Sequence, residues 1–135
     1  MTKKYELLKY DTKTFGGRTV YRIRYLIDIE GRCKVGDLGG YVSGEHNLSH
    51  EGRSVVLDLA FVLDRAVVLD DAVVRDAAIV LDDAVVRDDA VVRHDAIVSD
   101  AAIVSDRAFV CDDSVIRGNS IIRGKQVITG IPEKT

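Results

Sequence analysis

From Arg53 onward the chain divides, without an insertion, into thirteen consecutive six-residue units: RSVVLD, LAFVLD, RAVVLD, DAVVRD, AAIVLD, DAVVRD, DAVVRH, DAIVSD, AAIVSD, RAFVCD, DSVIRG, NSIIRG and KQVITG. Self-similarity at a short fixed period is the signature of a solenoid, in which each unit is buried only by its neighbours. The second position of a unit is small, running from Ser54 through Ala60, Ala66 and their successors to Ser114 and Ser120. The fourth is always Val or Ile, from Val56 to Ile128, and the sixth is Asp or Gly with the single exception of His94. A helix with about 3.6 residues per turn cannot keep such a pattern on one face. The unit cores, such as Ala72-Val73-Val74, are rich in β-branched residues that favour extended backbone.

Each unit is therefore expected to be one short strand and one corner. Positions two and four point inward and position three outward. Asp or Gly suits the corner because Gly enters positive φ freely and Asp tolerates it while bonding its own backbone. Three units make one 18-residue turn of a triangular prism. Successive turns stack as parallel strands about 4.8 Å apart, so the thirteen units give a little over four turns and roughly 21 Å of prism. The small inward residues leave no internal room for a ligand.

Residues 1–52 lack the period and are read as an N-terminal β cap, residues 53–130 as the prism and 131–135 as a tail. Val20 to Ile29 alternate, with Tyr21, Ile23, Tyr25, Ile27 and Ile29 on one side and Arg22, Arg24 and Asp28 on the other, which predicts a half-buried strand. Phe15-Gly16-Gly17-Arg18 and Glu30-Gly31-Arg32 flank it as turns, so a small antiparallel unit is expected. Gly36, Gly39 and Gly40 are read as turn residues leading to the prism. At the far end, Gln126 replaces the inward small residue, and Pro132 removes a donor that would invite a further strand. No apolar run approaches the roughly 18 residues of a membrane span, and Met1-Thr2-Lys3-Lys4 is followed by a mixed stretch, so a cytoplasmic protein without membrane contact is expected. Cys33 and Cys111 are too few for a disulfide framework and are read as free thiols.

The unit small-x-[VI]-x-[DG]-x resembles the hexapeptide repeat of left-handed parallel β-helix proteins, a family best known as acyltransferases. Tyr5-Glu6-Leu7-Leu8, Gly36-Asp37-Leu38-Gly39-Gly40-Tyr41 and Asn47-Leu48-Ser49 also resemble short bacterial and prophage-borne members named as transferases on their fold. The resemblance implies left-handed coiling, against the usual right-handed crossover. It is specific for fold and weak for activity, since one fold hosts many functions. Asp corners, where Gly is commoner, and unusually apolar outward positions set this sequence apart from that family.

Position three of every unit, from Val55 to Val127, is apolar although it should face outward. Three such ladders exceed the few hundred Å² of apolar patch that a soluble monomer exposes. Repetition every 18 residues places Phe61, Ile79, Ile97 and Val115 on one face, flanked by Leu63 and Leu81, as the first choice for a subunit contact or for the cap folding back. His94 is a weak catalytic candidate: in the related transferases a histidine can act as general base at a subunit boundary, but here no inserted loop builds an acceptor pocket. Its 18-residue register instead stacks it between Asp76 and Asp112, where a cation relieves repulsion. No metal site is expected, because His46 and His50 precede the repeat and Ca²⁺ needs six to eight converging oxygens, whereas the Asp pairs spread along the edges. Arg75, Arg87, Arg93, Arg107 and Arg117 offer those carboxylates a simpler compensation.

Nucleic-acid mimicry is poor, since residues 53–130 carry fourteen Asp against nine Lys or Arg, while DNA of that length carries about twelve charges. Ser43, Ser49 and His50 do not make a nucleophile and base by adjacency alone. The expectation is a non-catalytic, self-associating binding or scaffold module without cofactor, a homo-oligomer with a further protein partner open to it. The alternatives are an acyltransferase with an inter-subunit site and a phage-type inhibitor of a host protein.

Overall fold

The computed structural model describes residues 3–130, which are all-β apart from one 3-10 turn at Glu45–Asn47; the expected tail at 131–135 lies outside the described residues. Each hexad forms its strand at positions three and four, from Val55–Val56 to Val127–Thr129. Strands pair in parallel with an offset of one coil, Val55 on Val73, Phe61 on Ile79 and Val67 on Val85. Three sheets result, one for each face of a prism. The inward pairs, from Ala60 and Val62 to Ala108 and Val110, are fully buried. Side chains of this size fill the axis at close packing, and each buried Val contributes about 1.5 kcal/mol or more.

Three longer strands precede the hexads: β1 (Tyr5–Phe15), β2 (Arg18–Tyr25) and β3 (Leu38–Val42). β1 and β2 form an antiparallel hairpin whose two turn residues, Gly16 and Gly17, both have positive φ, as a type I′ turn requires. β3 is antiparallel to β2 but parallel to Phe61–Val62, and Leu48 bridges in parallel to Val68. The stack thus starts before the repeat is legible, and the Val55 face, like the other two, is five levels deep. The glycines of β3 serve this docking rather than a turn. A Cβ on Gly39 would stand 2.7 Å from the Val56 carbonyl oxygen, and one on Gly40 would overlap the Ala60 carbonyl. Of Gly36, Gly39 and Gly40, which the sequence suggests as turn residues, Gly36 alone, with φ +93, is one.

The alternation of residues 20–29 does not produce one strand. β2 ends at Tyr25, because its N–H goes to the Asp37 carbonyl and its own carbonyl takes the Gly36 N–H, which turns the chain away. A register shift between Arg22 and Arg24 interrupts the alternation: Ile23 and Tyr25 are buried as it predicts, whereas Val20 is buried and Tyr21 only half-buried. Ile29 instead closes a small antiparallel bridge with Cys33.

A solenoid's first coil has no preceding coil to bond, and here side chains of the cap replace it. The Tyr25 hydroxyl donates to the Val56 carbonyl at 2.8 Å and accepts the Val56 N–H at 2.9 Å, as a neighbouring strand would. Asn47 Nδ2 donates to the Ala66 carbonyl at 2.8 Å, and the Tyr5 hydroxyl to the Leu48 carbonyl at 2.5 Å. Fully buried Lys4 donates through Nζ to the Ser54 carbonyl at 2.7 Å and to its hydroxyl at 3.1 Å. Burial pushes the Lys4 ammonium down from 10.5 to about 8.

Tyr25→Phe leaves both polar groups of Val56 without partners, and is expected to cost about 2–3 kcal/mol in chemical denaturation, with the β signal retained. Lys4 sets a pH dependence. Between about 8 and 10.5 the unfolded chain holds a proton that the folded chain has released, so this group's contribution rises with pH across that window. Denaturant midpoints of the wild type and Lys4→Met at pH 8 and 9.5 should show the difference moving in favour of the wild type, by about 1–2 kcal/mol. Parallel pH profiles would contradict this role.

Candidate functional site

The corners carry the most regular polar chemistry in the molecule. Asp58, Asp64, Asp70, Asp76, Asp82, Asp88, Asp100, Asp106 and Asp112 all adopt φ between 57° and 61°, in the left-handed region, and His94 joins them at 62°. That conformation costs a non-glycine residue about 1–2 kcal/mol. The return does not come from a bond to the residue's own backbone, as the sequence suggested. Asp58 Oδ2 accepts the Asp76 N–H at 3.1 Å, Asp82 Oδ2 the Asp100 N–H at 3.0 Å, and Asp106 Oδ2 the Gly124 N–H at 2.9 Å. Apart from that of Asp112, each of these carboxylates closes the corner of the next coil, and a hydrogen bond to an ionised group offsets the local cost. Gly118 and Gly124 take the corner in the last described coil, where no further described N–H has to be met.

His94 keeps this ladder running. Its N–H is bonded by Asp76 Oδ2 at 3.1 Å, and its Nδ1 stands in for a carboxylate oxygen by accepting the Asp112 N–H at 3.1 Å. The stacking between Asp76 and Asp112 is as the register predicts. Although partial burial works the other way, the His94 N–H and the Arg75 guanidinium hold the Asp76 carboxyl below its ordinary range. The Asp112 carboxylate is turned back, with Oδ1 3.0 Å from His94 Nδ1. Beside both lies Cys111, and one donor atom from each of the three residues falls within 4.8 Å of the others. Burial pushes the Cys111 thiol up, and so does the Asp112 carboxylate. Sequence reasoning weighed His94 with the other histidines and overlooked this thiol, although Arg93 plus one coil is Cys111 just as His94 plus one coil is Asp112.

The face chosen from the sequence is divided. Phe61, Leu63, Ile79 and Leu81 form a second apolar cluster with Phe15, Val20 and Tyr41, so the hairpin curls over the first half of that face. Phe15 and Tyr41 meet Phe61 edge-on at 5.8 and 5.5 Å, and Arg18 pins the hairpin turn to Asp64 at 2.8 Å. Ile97 and Val115 stack further along the same sheet, outside the cluster. On the Val55 face, Leu57 and Val73 pack against the core, and the cap loop is tied to the start of that face by Arg32, which donates to the Arg53 and Asp71 carbonyls. The sheet of Val67, Val85, Ile103 and Ile121 receives no cap strand, and Ile121 is 54% exposed.

The remaining candidates are tied into the cap. His50 stacks on Tyr5 at 4.2 Å, accepts the Lys4 N–H at Nδ1 and meets Glu45 through Nε2 at 2.8 Å. Its bond and that of Lys3 hold the Glu45 carboxyl low. His46 Nε2 lies 2.7 Å from the Asp64 carbonyl, Ser43 bonds Asn47, and Ser49 accepts the Glu51 N–H, so these groups do not assemble a nucleophile and base. A surface groove of about 600 Å³ is formed by the loop from Asp28 to Asp37. No protein-family model matches this sequence, and no curated protein aligns with it significantly. The repeat and its geometry therefore carry the functional argument.

The ladder predicts a graded response at Asp82. Asn there can hold positive φ and accept the Asp100 N–H, so Asp82→Asn should stay within about 1 kcal/mol of the wild type. Asp82→Ala loses the bond and meets the full conformational penalty, and should cost about 2–3 kcal/mol in urea unfolding. Equal costs would mean that the acceptor is unimportant.

Proposed function

We propose that this chain is a non-catalytic, self-associating β-solenoid module whose contact surface between like subunits is the face of Val67, Val85, Ile103 and Ile121. The observation that carries this reading is the division of labour among the three faces. The hairpin covers half of one, the cap loop packs at the start of another, and the third bears an apolar ladder on a sheet that no cap strand joins. Apolar side chains aligned on a flat parallel sheet gain by leaving water together. The surface also carries both charges, with Arg87 and Arg123 on the strand flanks and Asp82, Asp83, Asp88 and Asp106 at the corners. A face bearing both signs complements itself when a second copy is turned end for end, the arrangement of an isologous dimer. The hydroxyls and imidazoles held in structural bonds support a binding role over acyl transfer.

Sedimentation at tens of micromolar is expected to show a defined oligomer. Ile103→Lys places a charge in the contact of both copies and should weaken association at least about a hundredfold, while Ile79→Lys, under the hairpin, should lower stability instead. A strictly monomeric wild type, or an oligomer indifferent to Ile103→Lys, would overturn the assignment of this face.

A further inference from the structure

Two residues depart from the repeat in ways nothing else in it does. His94 is the one sixth-position residue that is neither Asp nor Gly, and Cys111 is the one cysteine among the hexads. They lie 17 apart in sequence, yet the 18-residue coil brings them to the same corner, together with Asp112. One imidazole nitrogen, one sulfur and one carboxylate oxygen, all within 4.8 Å of one another, form a mixed donor set of borderline-soft character. We propose that this corner is a binding site for a divalent transition metal of the zinc class, with His94 Nδ1, Cys111 Sγ and an Asp112 carboxylate oxygen as ligands.

The surroundings suit that chemistry. Cys111 is the inner ligand, only 5% exposed, whereas the His94 and Asp112 side chains are 40% and 54% exposed, so an ion enters from solvent and water completes a tetrahedron. Asp76 Oδ2 lies 4.0 Å from His94 Nε2, on the far side of the ring from the ligating nitrogen. It is the Asp112 N–H, donating to Nδ1 at 3.1 Å, that uses the Nδ1 lone pair a metal would take. The Asp112 carboxylate already points back at that nitrogen, at 3.0 Å. Binding exchanges the hydrogen bond from the Asp112 N–H to Nδ1 for three metal–ligand bonds. The thiol proton leaves to solvent, so the thiolate and the Asp112 carboxylate neutralise the ion's two charges. Arg93, whose guanidinium stacks 4.8 Å from the Phe109 ring, stands one coil before Cys111 in the same register. A metal here would staple the coil of His94 to the coil of Cys111 and Asp112, in addition to the hydrogen bonds that already join them.

Cobalt(II) is the probe, because a thiolate ligand gives it a near-ultraviolet charge-transfer band that zinc then abolishes by displacement. The full-length chain is expected to bind one Co²⁺ with that band and to unfold at a higher temperature with Zn²⁺ present. Cys111→Ser should remove the band, and Ser105, which is buried at the same position of its own unit, indicates that serine is tolerated there. His94→Asn, which preserves positive φ and an acceptor for the Asp112 N–H, should fold as the wild type and bind at least about tenfold more weakly. Cys33→Ser should retain the band. No thiolate band with the wild type, a band that survives Cys111→Ser, a band lost in Cys33→Ser, or unchanged affinity in His94→Asn would each overturn the site. Should Cys111→Ser fail to fold, His94→Asn decides alone.

Discussion

The structure depends on a corner that is locally unfavourable and becomes favourable only through the coil beside it. Every sixth residue enters the left-handed region, where a side chain normally costs energy, and from there the carboxylate of each Asp but Asp112 reaches the N–H of the corresponding corner one coil on, with His94 Nδ1 doing the same. The bond cannot form if a coil gains or loses a residue. A period of 18 is therefore enforced at each of the three edges by hydrogen bonding, while the inward Ala and Val pairs enforce it at the axis by packing. Agreement between these two independent terms removes register slippage, which is the usual weakness of short, similar strands.

A stack held by neighbour contacts is vulnerable where the neighbour is missing. The N-terminal segment answers this with side chains that imitate a strand: the Tyr25 hydroxyl acts as both donor and acceptor for Val56, and Asn47 and Lys4 bond carbonyls of the first coil. Burying an ammonium to do so is costly, and it is tolerated because Ser54 supplies two oxygens within reach. The same segment extends one sheet and curls over Phe61, which shields Phe61 and Ile79 of the outward ladders.

Capping one end and part of one flank divides an otherwise repetitive prism into distinct surfaces. The Val67 face keeps its apolar ladder free of cap strands, and self-association is proposed there. The corner of His94 breaks the monotony of the edges in a different way. An imidazole can replace a carboxylate in the ladder because Nδ1 also accepts a hydrogen bond, and that substitution brings a nitrogen ligand beside Cys111 without disturbing the coil.

Much of this was legible from residue order. The hexad determines strand positions, which side chains are buried, the 18-residue offset and the pairing of His94 with Asp76 and Asp112, because a period of six admits only one arrangement of short strands and corners. Other features needed the folded chain. The alternation of residues 20–29 looked like one strand, but a bulge and the bonds of Tyr25 to Gly36 and Asp37 divided it. Gly39 and Gly40 looked like turn residues, yet they admit β3 against the carbonyls of Val56 and Ala60, contacts between segments remote in sequence. Periodic order reports interactions that recur at a constant spacing. The hairpin over Phe61, the caps of the first coil and the meeting of Cys111 with His94 each occur once, so only the closing of the chain in three dimensions decided them.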